Sequence, residues 1–271
     1  MAQYLRDSKI LNVTITESLL EQIDHLLKQR AIDTNLALDG TGMSEAEKQE
    51  HRLSLSYIVR FDDRGYRLND ANEALRHYQR ASDIERVIFT LDSARSENTN
   101  HKHGTYFEVR LDSKNADNCY VQASSEDSDV VDAVFNGLID ILKKAANRNG
   151  IARNTWTQLL VQIVGVALGF IMSLVAAIKI APQIEIENAF VITFIFAFLI
   201  FSNAWGFIHA QAQRLLAYSF PNVRFARSGK ESWHWLVQTL IGGLLVALFI
   251  FIFTKFTGWL GSVLSSYVAG G

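Results

Sequence analysis

Phe194–Ala210 reads FIFAFLIFSNAWGFIHA. Apart from Ser202, Asn203 and His209, every residue in this run is apolar or glycine. A segment this apolar belongs in a bilayer, where backbone polar groups must be satisfied within the segment, so it reads as a helix. Its predicted span is 189–210, and two more stretches, 156–178 and 235–256, also approach the ~20 apolar residues that crossing requires. The tail 257–271, TGWLGSVLSSYVAGG, is too short to cross and too apolar to be free, and is expected at the outer interface or folded between helices.

The polar residues in these spans are not scattered. Gln158, Gln162, Gly165, Gly169 and Ser173 recur at helical steps on the first span, and Gly165, Gly169 and Ser173 form a small-xxx-small pattern. Ser202, Asn203, Gly206, His209 and Gln213 form a stripe on the second, and Gln238, Thr239, Gly242 and Gly243 lie on the third. The first reading is helix packing, with glycines for close approach and amides for interhelical hydrogen bonds. The second is that the Asn203 stripe lines a water-filled path. No Asp, Glu, Lys or Arg lies in the hydrophobic centre of any span, which argues against an ion-coupled monomeric carrier. Any permeation path would need several copies of the chain, so a homo-oligomer is expected.

The flanking charges orient the spans. Lys143, Lys144, Arg148 and Arg153 precede the first, and Arg214, Arg224, Arg227 and Lys230 follow the second. The intervening loop KIAPQIEIEN carries one Lys against Glu185 and Glu187. The positive-inside rule then places the N-terminal half and the second loop in the cytoplasm, and the C-terminus outside, in a cell or inner membrane. Arg214, Arg224, Arg227 and Lys230 are read as topology determinants first. Their second role is docking, either to anionic membrane lipids or to the acidic N-terminal half.

Charge also divides the chain. Residues 1–150 hold 19 Lys and Arg against 25 Asp and Glu, whereas 151–271 hold 7 against 3. The expected domains are therefore a cytoplasmic one over 1–150 and a transmembrane one over 151–271. An acidic N-terminal half disfavours nucleic acid as a partner. With Cys119 alone no intrachain disulfide forms, which suits a reducing compartment. MAQYLRDSKILNV lacks signal-peptide architecture.

Within 1–150 the pattern is α+β. Ile10–Thr16 reads as a strand, followed by an amphipathic helix with a Ser18–Glu21 capping box. Thr34–Glu50 reads as a polar loop. Leu53–Phe61 and Tyr66–Leu68 flank the turn Asp62-Asp63-Arg64-Gly65 as a hairpin. A helix over 70–81 and strands over 84–91, 105–111 and 119–123 come next, then an amphipathic helix over 126–148 capped by Gly150. The expected fold is a mostly antiparallel sheet with helices on one face, joined to an all-α transmembrane domain of three spans. Only Ile151–Thr155 would separate the last helix from the first span, so its movement would pass into the membrane.

Chemical motifs are few. His101 and His103 have metal-ligand spacing without a third ligand, and Glu126, Asp127, Asp129 and Asp132 suit a helix start better than an ion site. Asp62-Asp63 reads as a turn and Cys119 as a strand residue. Nucleotide-loop, nucleophile-elbow and zinc-protease motifs are absent, so neither a cofactor nor enzymatic activity is expected. The functional expectation is an oligomeric membrane protein whose cytoplasmic domain senses a ligand or partner protein and whose spans change permeability. Channels and bacterial defence effectors share this layout. The alternative is an anchored adaptor that recruits a cytoplasmic partner without transport.

Overall fold

The computed structural model describes residues 3–227 and scattered positions between 239 and 258. The predicted third span, the tail 257–271 and Lys230 fall largely outside the described residues; Gly242 and Gly243 are described and helical. The chain divides into two compact units, Met1–Ser228 and Gly229–Gly271.

The first unit opens with an α+β domain. Six strands, β1 (Tyr4–Lys9), β3 (Leu53–Phe61), β4 (Arg64–Leu68), β5 (Ile84–Ser93), β6 (Tyr106–Asp112) and β7 (Tyr120–Ser125), form one sheet. Its order is β1-β7-β6-β5-β3-β4, and every neighbouring pair is antiparallel. Alternation along the strands sends Tyr57, Val59, Phe89, Leu91, Phe107, Val109 and Val121 to one side, all buried. Three helices cover that side: α1 (Glu17–Asp39), α3 (Ala71–Arg80) and α5 (Ser128–Lys144). They contribute Leu20, Ile23, Leu27, Tyr78, Val131, Leu138 and Leu142 to the same core.

Several local expectations are revised. Ile10–Thr16 is not one strand: Asn12 takes a left-handed conformation (φ 57°) and separates β1 from a short β2 (Val13–Ile15). The α1 N-cap is Thr16, whose side chain accepts the Leu19 N–H, so Ser18 and Glu21 lie inside the helix. The supposed loop at Thr34–Glu50 is largely helical. There α1 continues to Asp39, held where the Asn35 amide brackets the Leu53 backbone (2.8 and 3.0 Å). A second helix, α2 (Glu45–His51), begins with a true capping box between Ser44 and Glu47. The helix expected to end near Gly150 stops at Lys144, and Gly150 instead opens the single turn α6 (Gly150–Arg153). Another short turn, α4 (Ala94–Asn98), follows β5.

Two apolar helices complete the unit: α7 (Thr155–Ile180) and α8 (Ala189–Ser219). Both are long and apolar enough to cross a membrane, and only 11% and 6% of their most apolar windows are buried. That exposure separates them from core helices of a soluble fold. A 3-10 turn at Ala181–Gln183 reverses the chain between them. At 31 residues α8 is about 46 Å long by the usual rise, more than a hydrocarbon core needs. Its surplus turns lead to a short strand, β8 (Val223–Phe225).

Candidate functional site: a clamp between the sheet domain and the apolar helices

The site is built on β2, a strand of three residues. On one edge Val13, Thr14 and Ile15 pair in parallel with Val223, Arg224 and Phe225 of β8. On the other edge Val13 forms an antiparallel bridge with Ala146. Thr14 N–H donates to the Ala145 carbonyl at 2.9 Å, and Asn147 N–H to the Asn12 carbonyl at 2.6 Å. Residues 145–149 lead into α7, and 220–227 leave α8. One strand of the α+β domain therefore grips the chain entering the apolar helices and the chain leaving them.

Side chains lock the arrangement. Asn222 is buried; its amide nitrogen donates to the Ile10 carbonyl at 2.9 Å, and its oxygen accepts the Asn12 N–H at 2.8 Å. The Asn149 amide donates to the Pro221 carbonyl at 3.0 Å. Tyr78, on α3, reaches through the core with its hydroxyl shared between the carbonyls of Ile15 (3.0 Å) and Ala226 (3.2 Å). Burial pushes that phenol up, so it remains a donor. The Phe225 ring packs edge-on to Tyr78. Arg227 closes the end of the clamp, donating to the carbonyls of Ala81 and of Ser82, the latter at 2.7 Å, just beyond α3. A guanidinium there satisfies carbonyls that a helix end leaves unpaired.

The basic residues predicted to dock thus separate. Arg227 contacts the α+β domain, Arg224 sits half-buried on β8, and Arg214 is exposed on α8.

The two apolar helices pack through the small stripe of α7. Gly165, Ser173 and Ala177 are buried, and Gly169 is half-buried. A Cβ at Gly165 would lie 1.7 Å from the Trp205 ring, whereas one at Gly169 would stand 3.8 Å from Phe201. Ser173 Oγ donates back to the Gly169 carbonyl at 2.6 Å. The stripe on α8 divides into two. Trp205, His209 and Gln213 are half-buried, and their Nε1, Nδ1 and Nε2 atoms are buried with no hydrogen-bond partner among the described residues. Ser202, Asn203 and Gly206 are exposed, with the Asn203 amide bonded back to the Leu199 carbonyl at 3.1 Å; Gln162 on α7 is exposed as well.

The remaining candidates serve the fold. His101 Nδ1 hydrogen-bonds Ser96 Oγ at 3.0 Å and its ring lies on Tyr106, while His103 is exposed. Asp127 caps α5 by accepting from Asp129 and Val130 N–H groups, and Asp132 pairs with Arg6 at 2.6 Å. Asp62 and Asp63 are both left-handed in the hairpin turn, and Asp62 accepts from the Ser82 and Asp83 backbones. Cys119 is fully buried, its thiol donating to the Asp112 carbonyl at 3.0 Å, and burial pushes its pKa up. No cluster of three or more metal-ligating side chains occurs among the described residues.

Sequence reasoning missed β8. A three-residue strand leaves almost no periodic signal, and its partner lies some 210 residues away in sequence. The clues available were Phe220-Pro221 and the Val-Arg-Phe alternation inside an otherwise basic loop. Comparison with known proteins adds no relative: no family model, no curated protein and no solved structure matches the chain.

Proposed function

We propose that this chain is an oligomeric integral membrane protein whose α+β domain senses a cytoplasmic ligand or partner and whose membrane helices respond by changing permeability. The observation that carries this reading is the β8–β2–Ala146 clamp. An anchor needs only a flexible tether between its soluble domain and its first helix. Here both ends of the α7–α8 pair are fastened to one strand by backbone hydrogen bonds, Asn222, Tyr78 and Arg227. A displacement of β2 relative to the sheet would move the bases of both helices together.

Self-assembly is supported by what α7 leaves uncovered. Polar groups facing hydrocarbon need protein partners. The exposed Ser202, Asn203 and Gly206, and the unpartnered nitrogens of Trp205, His209 and Gln213, require the third predicted span or another copy. The basic residues around the clamp support a cytoplasmic placement of the α+β domain by the positive-inside rule.

The deciding experiment measures ion flux from liposomes containing the full chain. Candidate cytoplasmic extracts serve as triggers, and a Tyr78→Phe, Asn222→Ala double variant is compared with the parent. The proposal expects flux in the parent that the weakened clamp alters, and a multimeric particle in detergent. A strictly monomeric particle without leak under any trigger defeats it. So does full activity after all the predicted spans are replaced by an unrelated anchor, the result expected of an adaptor.

A further inference from the structure

Beside the clamp lies an open cleft of about 390 Å³. That volume is within the range of small-molecule sites. Its walls come from three elements: Thr14 of β2, Thr16, Leu19 and Gln22 at the start of α1, and Ile141 and Lys144 at the end of α5. Ala145 and Ala146, the residues bonded to β2, form its rim.

The polar groups of this cleft are biased toward donation. Thr16 Oγ1 already accepts the Leu19 N–H at 3.2 Å, and Thr14 Oγ1 accepts from the Asn147 amide at 3.2 Å. Each hydroxyl therefore has its proton left to give. Gln22 uses one amide hydrogen on Ser18 Oγ and has a second. Lys144 is exposed and forms no ion pair among the described residues. Arg224 stands in register beside Thr14 on the parallel β8, so it shares a face of that pair. No carboxylate lines the cleft. A set of donors with nearby cations and no acidic residue suits an acceptor-rich anion. Leu19 and Ile141 add an apolar wall for whatever the anion is attached to.

We propose that this cleft binds a small phosphate ester, gripped by Lys144 and the two threonine hydroxyls, with its organic portion against Leu19 and Ile141. A phosphate monoester offers three terminal oxygens and close to two negative charges, matching several convergent donors better than a carboxylate does. The ligand braces β2, α1 and α5 at the place where the clamp meets the root of α7. The inference deepens the sensing reading and rests on it for its regulatory part, whereas the site itself stands on the cleft alone. The phosphate can come from a soluble metabolite or from a lipid headgroup, since the residues that follow lead into the apolar helices.

The test uses the full chain in nanodiscs, with backbone hydrogen exchange read at residues 13–16 and 144–147. One arm adds phenyl phosphate to phosphatidylcholine discs; the other incorporates phosphatidate without soluble ligand. Protection in the first arm identifies a soluble ester, and protection in the second alone a headgroup. In either case Lys144→Gln should weaken the response about tenfold, in keeping with loss of one charge-assisted hydrogen bond. Thr14→Val should weaken it less, and Lys143→Gln should leave it intact. Absence of protection in both arms, or protection in Lys144→Gln and Thr14→Val as strong as in the parent, overturns the proposal. Protection that leaves ion flux unchanged upholds the site and counts against the permeability reading instead.

Discussion

Trp205 of α8 occupies the space where a side chain on Gly165 of α7 would have to begin, with a Cβ there only 1.7 Å from the indole ring. The neighbouring small residue is not equivalent, because a Cβ at Gly169 would meet Phe201 at an ordinary 3.8 Å. Gly165→Ala is therefore expected to weaken the α7–α8 pair by about 1–3 kcal/mol through overpacking, and Gly169→Ala to be nearly neutral. Thermal unfolding in detergent, together with cysteine cross-linking between the two helices, would measure both. Equal tolerance at the two positions contradicts the packing described.

Asn222 holds the returning chain against the β1–β2 connection, and its side chain also lies beside the Cys119 sulfur. Asn222→Ala leaves the Ile10 carbonyl and Asn12 N–H without these partners, an expected loss of about 1–3 kcal/mol. The thiol gives a convenient reporter. Buried and held as the protonated form, Cys119 should react very slowly with maleimide at neutral pH in the parent. Its labelling should accelerate at least severalfold in Asn222→Ala while the sheet remains folded by circular dichroism.

Opposite pH signatures are expected at the two ends of β5. Lys114, hydrogen-bonded to Glu85 at 2.9 Å, holds that carboxyl below its ordinary range, with Arg60 assisting against the effect of burial. A depressed folded pKa contributes stability that is present above the ordinary glutamate pKa of about 4.3. That contribution is lost as pH falls through the folded value. Glu85→Gln should therefore be less stable than the parent near neutrality, with the gap closing in acid.

Asp92 behaves the other way. Burial raises its pKa, with Glu97 adding to the rise against the Ser54 hydroxyl, His101 and Arg67. The folded state then favours the proton. The penalty is absent below the ordinary aspartate pKa of about 3.9 and grows as pH rises through the folded value. Asp92→Asn should be more stable than the parent near neutrality, the advantage fading in acid. Melting curves of the full chain at several pH values decide both cases, and parallel pH profiles for the two variants would contradict the assignment.

Asn203 is exposed on α8, and among the described residues its side chain hydrogen-bonds only its own helix, at the Leu199 carbonyl. Asn203→Leu should leave the melting temperature of the protomer within a few degrees. If the stripe meets another copy, the same change should shift the monomer–oligomer distribution in detergent and alter liposome flux. An unchanged particle mass would rule out another copy on this face and leave it to lipid or to the third predicted span.

The sequence made some features of this molecule legible and hid others for physical reasons. Alternation identified β3, β5, β6 and β7 because their inward residues are mostly apolar, and the turn at Asp62-Asp63 carried its own chemistry. The edge strand β1, YLRDSK, escaped because a polar strand without a buried stripe does not announce itself; its Arg6 is only half-buried, lying over Phe135 and pairing with Asp132. The last turns of α1 escaped because a contact to Leu53, distant in sequence, anchors them. At the clamp, local propensity carries almost no information. Three residues at each end of a long detour find each other through backbone groups that every residue possesses.

That detour fixes an order of events during synthesis. Val13–Ile15 leaves the ribosome long before Val223–Phe225 exists, an interval of roughly 10–40 s at typical bacterial and eukaryotic elongation rates. Throughout that interval one rim of the nascent domain stays unzipped, with the Tyr78 phenol short of a recipient. Only after α7 and α8 have both been made can the late strand come home to β2. Completion of the early domain thereby waits on the synthesis of both apolar helices.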